Sequence, residues 1–209
     1  MSEVKRYFIS GIGTDVGKTI VSAVLVEALK ADYWKPIQAG DLNYSDKDKV
    51  RRLVLNELSV FHPNVYALKT PVSPHDAAKR DGIQIELENI QVPQTSNHLV
   101  IEGAGGLLVP VNDKDMVADL IKPFNSELIL VINNYLGSIN HTLLSLAYIR
   151  SNDIPLKGVI ICGEPYTEGE DLILSYSGVR LLGRIPWMAD LNEKEISRLA
   201  EQFKFLAND

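Results

Sequence analysis

Short apolar runs constrain the fold of this chain more than any other feature. Tyr7 to Ser10, Leu99-Val100-Ile101, Leu128 to Ile132 and Gly158 to Cys162 are largely apolar without a polar residue at every second position. Strands of that kind are covered on both faces, so they predict a parallel sheet with helices on each side, an α/β three-layer arrangement. Amphipathic stretches fall between them. Gly17 to Lys30 places Val21, Val24, Leu25, Ala28 and Leu29 on one helical face. Asp46 to Leu58 reads as a helix with Val50, Leu53, Val54 and Leu58 inward, Ser138 to Arg150 as another with Ser138 capping it, and Asn192 to Phe205 as the last. Tyr33 to Ile37 reads as a short second strand and Val179 to Gly183 as a weaker late one. Ser73-Pro74-His75-Asp76 starts a short helix, with Ser73 as cap and Pro74 in the first turn. Right-handed crossovers bring the C-terminal ends of all strands to one edge, where ligands bind in such sheets.

Composition narrows the class. The chain has 209 residues, 45% apolar and 23% charged, which suits one ordinary globular domain. Its formal net charge of -6 argues against non-specific nucleic-acid binding, which needs a dense cationic surface. Cys162 is the one cysteine, so no intrachain disulfide forms, in keeping with a reducing compartment. The opening MSEVKRYFISG lacks the long apolar core of a signal peptide. No apolar run reaches the roughly 18 to 20 residues of a membrane span. The expectation is a cytoplasmic protein with no membrane and no nucleic-acid partner.

Directly after the first strand comes Gly11-Ile12-Gly13-Thr14-Asp15-Val16-Gly17-Lys18-Thr19. A strand, a glycine-bearing loop and Gly-Lys-Thr opening a helix form a phosphate-binding arrangement. The glycines let successive N–H groups converge, and the helix N-terminus adds unpaired donors and partial positive charge. Lys18 can reach the outer phosphates, and the Thr19 hydroxyl can ligate Mg²⁺. The common spacing would put a glycine at Ile12; Gly11 makes this loop one residue longer.

Glu102 closes the strand Leu99 to Ile101 and is followed by Gly103-Ala104-Gly105-Gly106. A carboxylate there is suited to Mg²⁺, and the glycine run to close approach of a phosphate. Lys35 sits in an otherwise apolar strand, where an ammonium is costly unless it meets an anion or a cleft. It is therefore a candidate second cation. Asp41, Asp46 and Asp48 follow, and any of them could add a Mg²⁺ ligand. The N-terminus of the Ser138 helix is a candidate anion site, and His141 in its first turn reads as structural.

Together these segments resemble the dethiobiotin synthetase family over almost the whole chain. The elongated loop, Lys35-Pro36 with Gln38 and Gly40, Ser73-Pro74-His75, Glu102 to Gly106, Leu136-Gly137 with Ile139-Asn140-His141, and Gly183 followed by Ile185-Pro186-Trp187 occur in that family's order. The resemblance implies a single domain over 1–209, a P-loop NTPase-like three-layer sandwich with a mostly parallel central sheet. It implies an ATP- and Mg²⁺-dependent cyclo-ligase of biotin synthesis, acting as a homodimer. Asp15, Val16, Gly17, Lys18, Thr19 and Ile20 would bind the nucleotide, with Glu102, Gly103, Ala104 and Gly105. Cys162, Gly163, Pro186, Trp187, Met188 and Glu193 would border its adenosine. Thr19, Asp46 and Glu102 would hold Mg²⁺, and Lys35 with Lys18 would serve the chemistry. Ala39 and Gly137, Ser138, Ile139 and Asn140 would contact the substrate, the last four from the neighbouring subunit.

Two positions depart from the family pattern. Ala39 stands where many members have a hydroxyl, and Cys162 where an Asn often reads the adenine edge. Weaker ATP binding, a base contact from the Gly163 backbone, and acceptance of other triphosphates all remain open. The implied reaction captures CO₂ on an amine of 7,8-diaminononanoate as a carbamate. Its oxygen attacks the γ-phosphate of ATP, and the second amine then displaces phosphate to close the ring. The alternative is a nucleotide-dependent switch or partition-type ATPase of the same fold. Such proteins commonly carry an extra lysine early in the loop, and Gly11 to Val16 has none. Other carboxylate- or amide-activating synthetases and a degenerate nucleotide-binding module complete the field.

Overall fold

The computed structural model describes residues 4–209; residues 1–3, which open the stretch weighed for a leader, lie outside the described residues. The chain runs β1 Arg6–Gly11, α1 Lys18–Leu29, β2 Asp32–Trp34, β3 Ile37–Ala39, α2 Asp46–Leu53, β4 Tyr66–Leu68 and α3 Pro74–Asp81. It continues through β5 Leu99–Gly106, β6 Glu127–Asn133, α4 Ser138–Ser151, β7 Leu156–Cys162, α5 Thr167–Ser177, β8 Leu181–Ile185 and α6 Glu193–Ala200. Short 3-10 turns occupy Leu87–Asn89, Val117–Leu120 and Glu201–Ala207.

Six strands form one sheet in the order β2-β5-β1-β6-β7-β8, every neighbouring pair parallel. The apolar runs fill both faces, as their lack of alternation requires. On one face Tyr7, Ile9, Val100, Ile129, Val131 and Ile160 pack with α1, with Val50 of α2 and with Ile196, Leu199 and Phe203 of the C-terminal segment. On the other, Phe8, Leu99, Ile101, Leu130, Ile132 and Ile161 pack with Ala77 of α3, Leu146 and Ile149 of α4 and Ile173 of α5. Each fully buried Val, Leu, Ile or Phe among them contributes about 1.5–3 kcal/mol.

The sheet corrects several boundaries. Tyr33 to Ile37 is not one strand. Lys35-Pro36 breaks it, because Pro36 has no N–H to donate to a ladder. The Pro36 carbonyl instead accepts from Val65 and Tyr66, and β3 pairs with β4 in a separate two-stranded sheet. The Asp46 helix ends at Leu53 rather than Leu58, and Leu58 is 61% exposed. Only the first eight residues carry a helical apolar face; beyond Leu53 the chain turns on Asn56, whose side chain accepts from the Leu58 and Ser59 amides. The strand at Leu99 continues through Glu102 to Gly106, since Gly11 of β1 still pairs with Gly106. The late strand is shifted to Leu181–Ile185, and the last helix tightens to a 3-10 turn after Ala200. Helix α5 carries no clear sequence signal, because Gly169 interrupts it and Leu172 and Tyr176 stay exposed.

Candidate active site

The strand ends converge on a cleft of about 630 Å³ at the C-terminal edge of the sheet. The glycine loop forms one wall. Its backbone is left-handed at Asp15 (φ 56°) and at Gly17 (φ 100°), a shape that gathers N–H groups toward one side. A methyl group on Gly11 would stand 2.4 Å from Val16 Cγ2, so the close turn needs glycine there. Helix α1 then begins at Lys18 with no side chain capping its first amides, which leaves them free to meet an anion. Lys18 Nζ donates to the Gly13 carbonyl across 3.0 Å, arching over the loop. Burial lowers its pKa, against an opposing pull from Glu102.

Three segments bring a compact charge cluster together. Lys35, at the Pro36 break, donates to Asp46 Oδ2 at 2.5 Å and Glu102 Oε1 at 3.1 Å. Glu102 also accepts from Thr19 Oγ1 and from the Tyr33 hydroxyl, each at 3.0 Å. Lys35 is 6% exposed and Glu102 1%, so neither is a solvated surface charge. Burial pulls the Lys35 ammonium down, but the charges of Glu102 and Asp46 prevail and its pKa is raised. Burial pushes Asp46 up, yet Lys35 wins and holds it below the usual carboxylate range. Burial, and then Glu102, raises the Tyr33 phenol.

The geometry separates the three aspartates. Asp46 opens α2 and points into the cluster. Asp48 forms a capping box with Ser45, a structural task. Asp41 lies on the cleft wall and pairs with Lys49 at 3.3 Å. Asp46 and Glu102 thus meet at the Lys35 ammonium, and Thr19 Oγ1 reaches the same Glu102 oxygen that Lys35 does. Hard oxygen ligands around a cationic position suit Mg²⁺, which takes few protein ligands and completes its shell with water and phosphate.

A second hollow, of about 270 Å³, lies on the other side of Gly17 and shares Asp15, Gly17 and Ile20 with the first. Val16, Cys162, Gly163, Pro186, Trp187 and Met188 line it, as does Asn133. Cys162 is a buried thiol whose pKa burial pushes up to about 12. It packs beneath Gly17, where an added Cβ would stand 3.1 Å from its Sγ.

Several expected residues fall outside these two hollows. Gly103 is buried against Phe8 and Val117 and supports the cleft from behind. Glu193 lies in the first turn of α6, away from the lining, where Leu191 stands instead. Gly137, Ser138, Ile139 and Asn140 open α4 outside the cleft of their own chain. Ser138 is not the cap: Gly137 takes that position in a left-handed conformation, and Ser138 is the first helical residue. His141 pairs with the Tyr135 hydroxyl at 2.7 Å. Ser73 precedes α3 without capping it and bonds His75 Nδ1 at 3.0 Å. Ala39, Ser73 and Pro74 do line the cleft. Sequence reasoning missed Tyr33 and Asn133. Asn133 was open to the argument used for Glu102, a polar residue closing an apolar strand.

A family model described as an AAA domain matches residues 5–195. The chain is 52% identical over 200 residues to the ATP-dependent dethiobiotin synthetase BioD of Christiangramia forsetii, covering 96% of each. It is 52% identical over 180 residues to the protein of that name from Cytophaga hutchinsonii, covering 86% of this chain and 87% of the relative. Among solved structures, a putative plasmid partition protein from Borrelia burgdorferi bound to AMPPNP superposes with a TM-score of 0.58 at 14% identity, over 97% of this chain and 98% of that one. The septum site-determining protein MinD of Pyrococcus horikoshii, complexed with Mg-ADP, gives 0.58 at 14% over 98% of each. At such identities these two likenesses establish the fold, an α/β sandwich of the P-loop NTPase type.

Proposed function

The chain belongs to the ATP-dependent dethiobiotin synthetase family, and from that premise we propose that it closes the ureido ring of dethiobiotin from 7,8-diaminononanoate, CO₂ and ATP, acting as one catalytic unit over 1–209. The observation that carries the assignment beyond kinship is the buried cluster Thr19–Glu102–Lys35–Asp46 beside the glycine loop. The reaction needs no protein nucleophile. It needs two partners held in line and their accumulating negative charge neutralised.

The loop amides and Lys18 would bind the triphosphate, with Ala104 and Gly105 across the cleft. Thr19, Asp46 and Glu102 fit Mg²⁺, which when bound supplies charge neutralisation between phosphate oxygens. Lys35 would then turn from the carboxylates toward the carbamate and γ-phosphate oxygens. Until then, Glu102 and Asp46 hold the buried Lys35 ammonium charged. Cys162, Gly163, Pro186, Trp187 and Met188 would border the base, with Glu193 at most at the margin. Ala39 lies beside the substrate space.

We assign Gly137 to Asn140 to the substrate carboxylate of a neighbouring subunit in a homodimer. Their position outside their own cleft supports that reading, and so does Leu136, which is fully exposed beside them. No helix among the described residues is long and apolar enough to cross a membrane. Free ATP and a reduced, buried Cys162 fit a cytoplasmic setting. The partition-type ATPase alternative rests on fold likeness alone. Mass spectrometry of the purified protein incubated with the diamine, bicarbonate, Mg²⁺ and ATP tests the proposal: dethiobiotin should form only when all are present.

A further inference from the structure

We infer that the side-chain amide of Asn133 is the residue that selects the nucleotide base, a task that Cys162 cannot perform. The inference rests on the hollow beyond Gly17 being the base site of the proposed reaction. Asn133 closes β6 and stands in register with Cys162, which closes β7. In parallel strands, paired residues point to the same face, and both line that hollow. Cys162 offers only a weak donor and acceptor, and burial holds it as a neutral thiol. Asn133 offers a strong donor and a strong acceptor side by side. That pair matches the adjacent amino group and ring nitrogen of adenine.

The amide is both available and fixed. The next residue, Asn134, spends its amide on the Glu164 carbonyl at 2.8 Å and on buried Glu170 at 2.7 Å. Glu170 is held in turn by Arg184 and the Tyr166 amide. Asn133 has no such commitment: its amide makes no hydrogen bond within the protein among the described residues. The Asn134 anchor holds the end of β6 against Gly163. There, a Cβ on Gly163 would stand 2.6 Å from Asn133 Oδ1, so glycine at 163 leaves room for the amide. Asn133 is thus the one carboxamide lining the hollow among the described residues, and it packs against Gly163.

The test is a set of equilibrium titrations with the β,γ-imido analogues of ATP, GTP and CTP, on the wild type and on Asn133→Ala, Asn133→Asp and Asn133→Gln. A good bidentate pair discriminates by about tenfold to a hundredfold. The wild type should prefer the ATP analogue to the GTP analogue by that factor, with the CTP analogue, whose base carries the same adjacent amino group and ring nitrogen, retained on the favoured side, and Asn133→Ala should reduce the adenine-over-guanine preference to below about threefold, since the pair is gone. Asn133→Asp, an acceptor only, should shift preference toward guanine, whose edge presents adjacent donors. Unchanged thermal unfolding of the variants keeps the comparison clean. Equal preference in wild type and Asn133→Ala overturns the inference, as does a wild type with no preference. If the preference depends on Asn133 but no dethiobiotin forms, the base-selecting role stands and the proposed reaction falls. If the wild type binds no analogue, both fall.

Discussion

Lys35 Nζ lies 2.5 Å from Asp46 Oδ2, joining the break after β2 to the first turn of α2 across the cleft floor. Glu102 completes the arrangement from β5. An ammonium buried between two carboxylates is stable only as a paired charge, and its partners are the same groups that fit Mg²⁺. Cation exchange at that point would release Lys35 toward the reacting oxygens.

Replacing Lys35 with Met should lower turnover by on the order of 10²–10³, the usual cost of losing one charge-stabilising contact in a transition state. The affinity for ATP should change much less, because the loop amides and Lys18 remain. Steady-state kinetics with the diamine and ATP varied separately would check both statements. Turnover near that of the wild type would remove Lys35 from the chemistry.

Asp46→Asn keeps the shape of the cleft and removes one anionic oxygen. The concentration of Mg²⁺ needed for half-maximal turnover should rise by about tenfold or more, by analogy with losing a charge-assisted contact of about 1.5–3 kcal/mol. A metal titration after exhaustive chelation measures it. The same titration on Asp48→Ala should show little change, since Asp48 serves the helix cap.

Gly17→Ala meets two obstacles at once. The backbone there is left-handed, which costs an L-residue roughly 1–2 kcal/mol. The new methyl also presses on Cys162 Sγ at 3.1 Å. Nucleotide affinity and thermal stability should both fall. Adding Cys162→Ala removes the Sγ contact but keeps its Cβ 3.2 Å from the new methyl, so the double variant should regain at most a part of the lost thermal stability.

Far from the cleft, buried Asp32 accepts from the Val60 amide at 2.9 Å and from Asn97 at 2.8 Å, and pairs with His62 at 3.0 Å. Burial pushes its pKa up, but hydrogen bonding from Thr95 first, then from Asn97, Val60 and His62, outweighs burial and the group titrates below its ordinary value. A depressed folded-state pKa means its contribution is fully present above the unfolded value, near 3.9, and is lost as pH falls through the folded value. Asp32→Ala should cost about 1–3 kcal/mol at neutral pH, with the difference from wild type shrinking in acid. Chemical denaturation at neutral and acid pH would reveal that convergence.

Much of the site was legible because its chemistry is local in sequence. Gly11 to Thr19 announces a phosphate loop by residue type alone, and the apolar run before Glu102 fixes where that carboxylate emerges. The rest depends on neighbours distant along the chain. Which of Asp41, Asp46 and Asp48 faces Lys35 follows from the Ser45 cap, which takes up Asp48 and turns Asp46 inward. Pro36 marks the break within Tyr33 to Ile37, but the pairing of Ile37–Ala39 depends on β4, whose three residues carry no signal of their own. Tyr33 was hidden because an apolar strand gives no reason to expect its hydroxyl on Glu102.

The most direct measurement supplies ¹³C-bicarbonate with the diamine, ATP and Mg²⁺, and follows labelled dethiobiotin and ADP together. One labelled carbon should appear in each dethiobiotin and one ADP for each product molecule, with ADP release dependent on the diamine. ADP released at the same rate without the diamine, and no labelled product, would contradict the proposed reaction and mark the chain as a nucleotide switch.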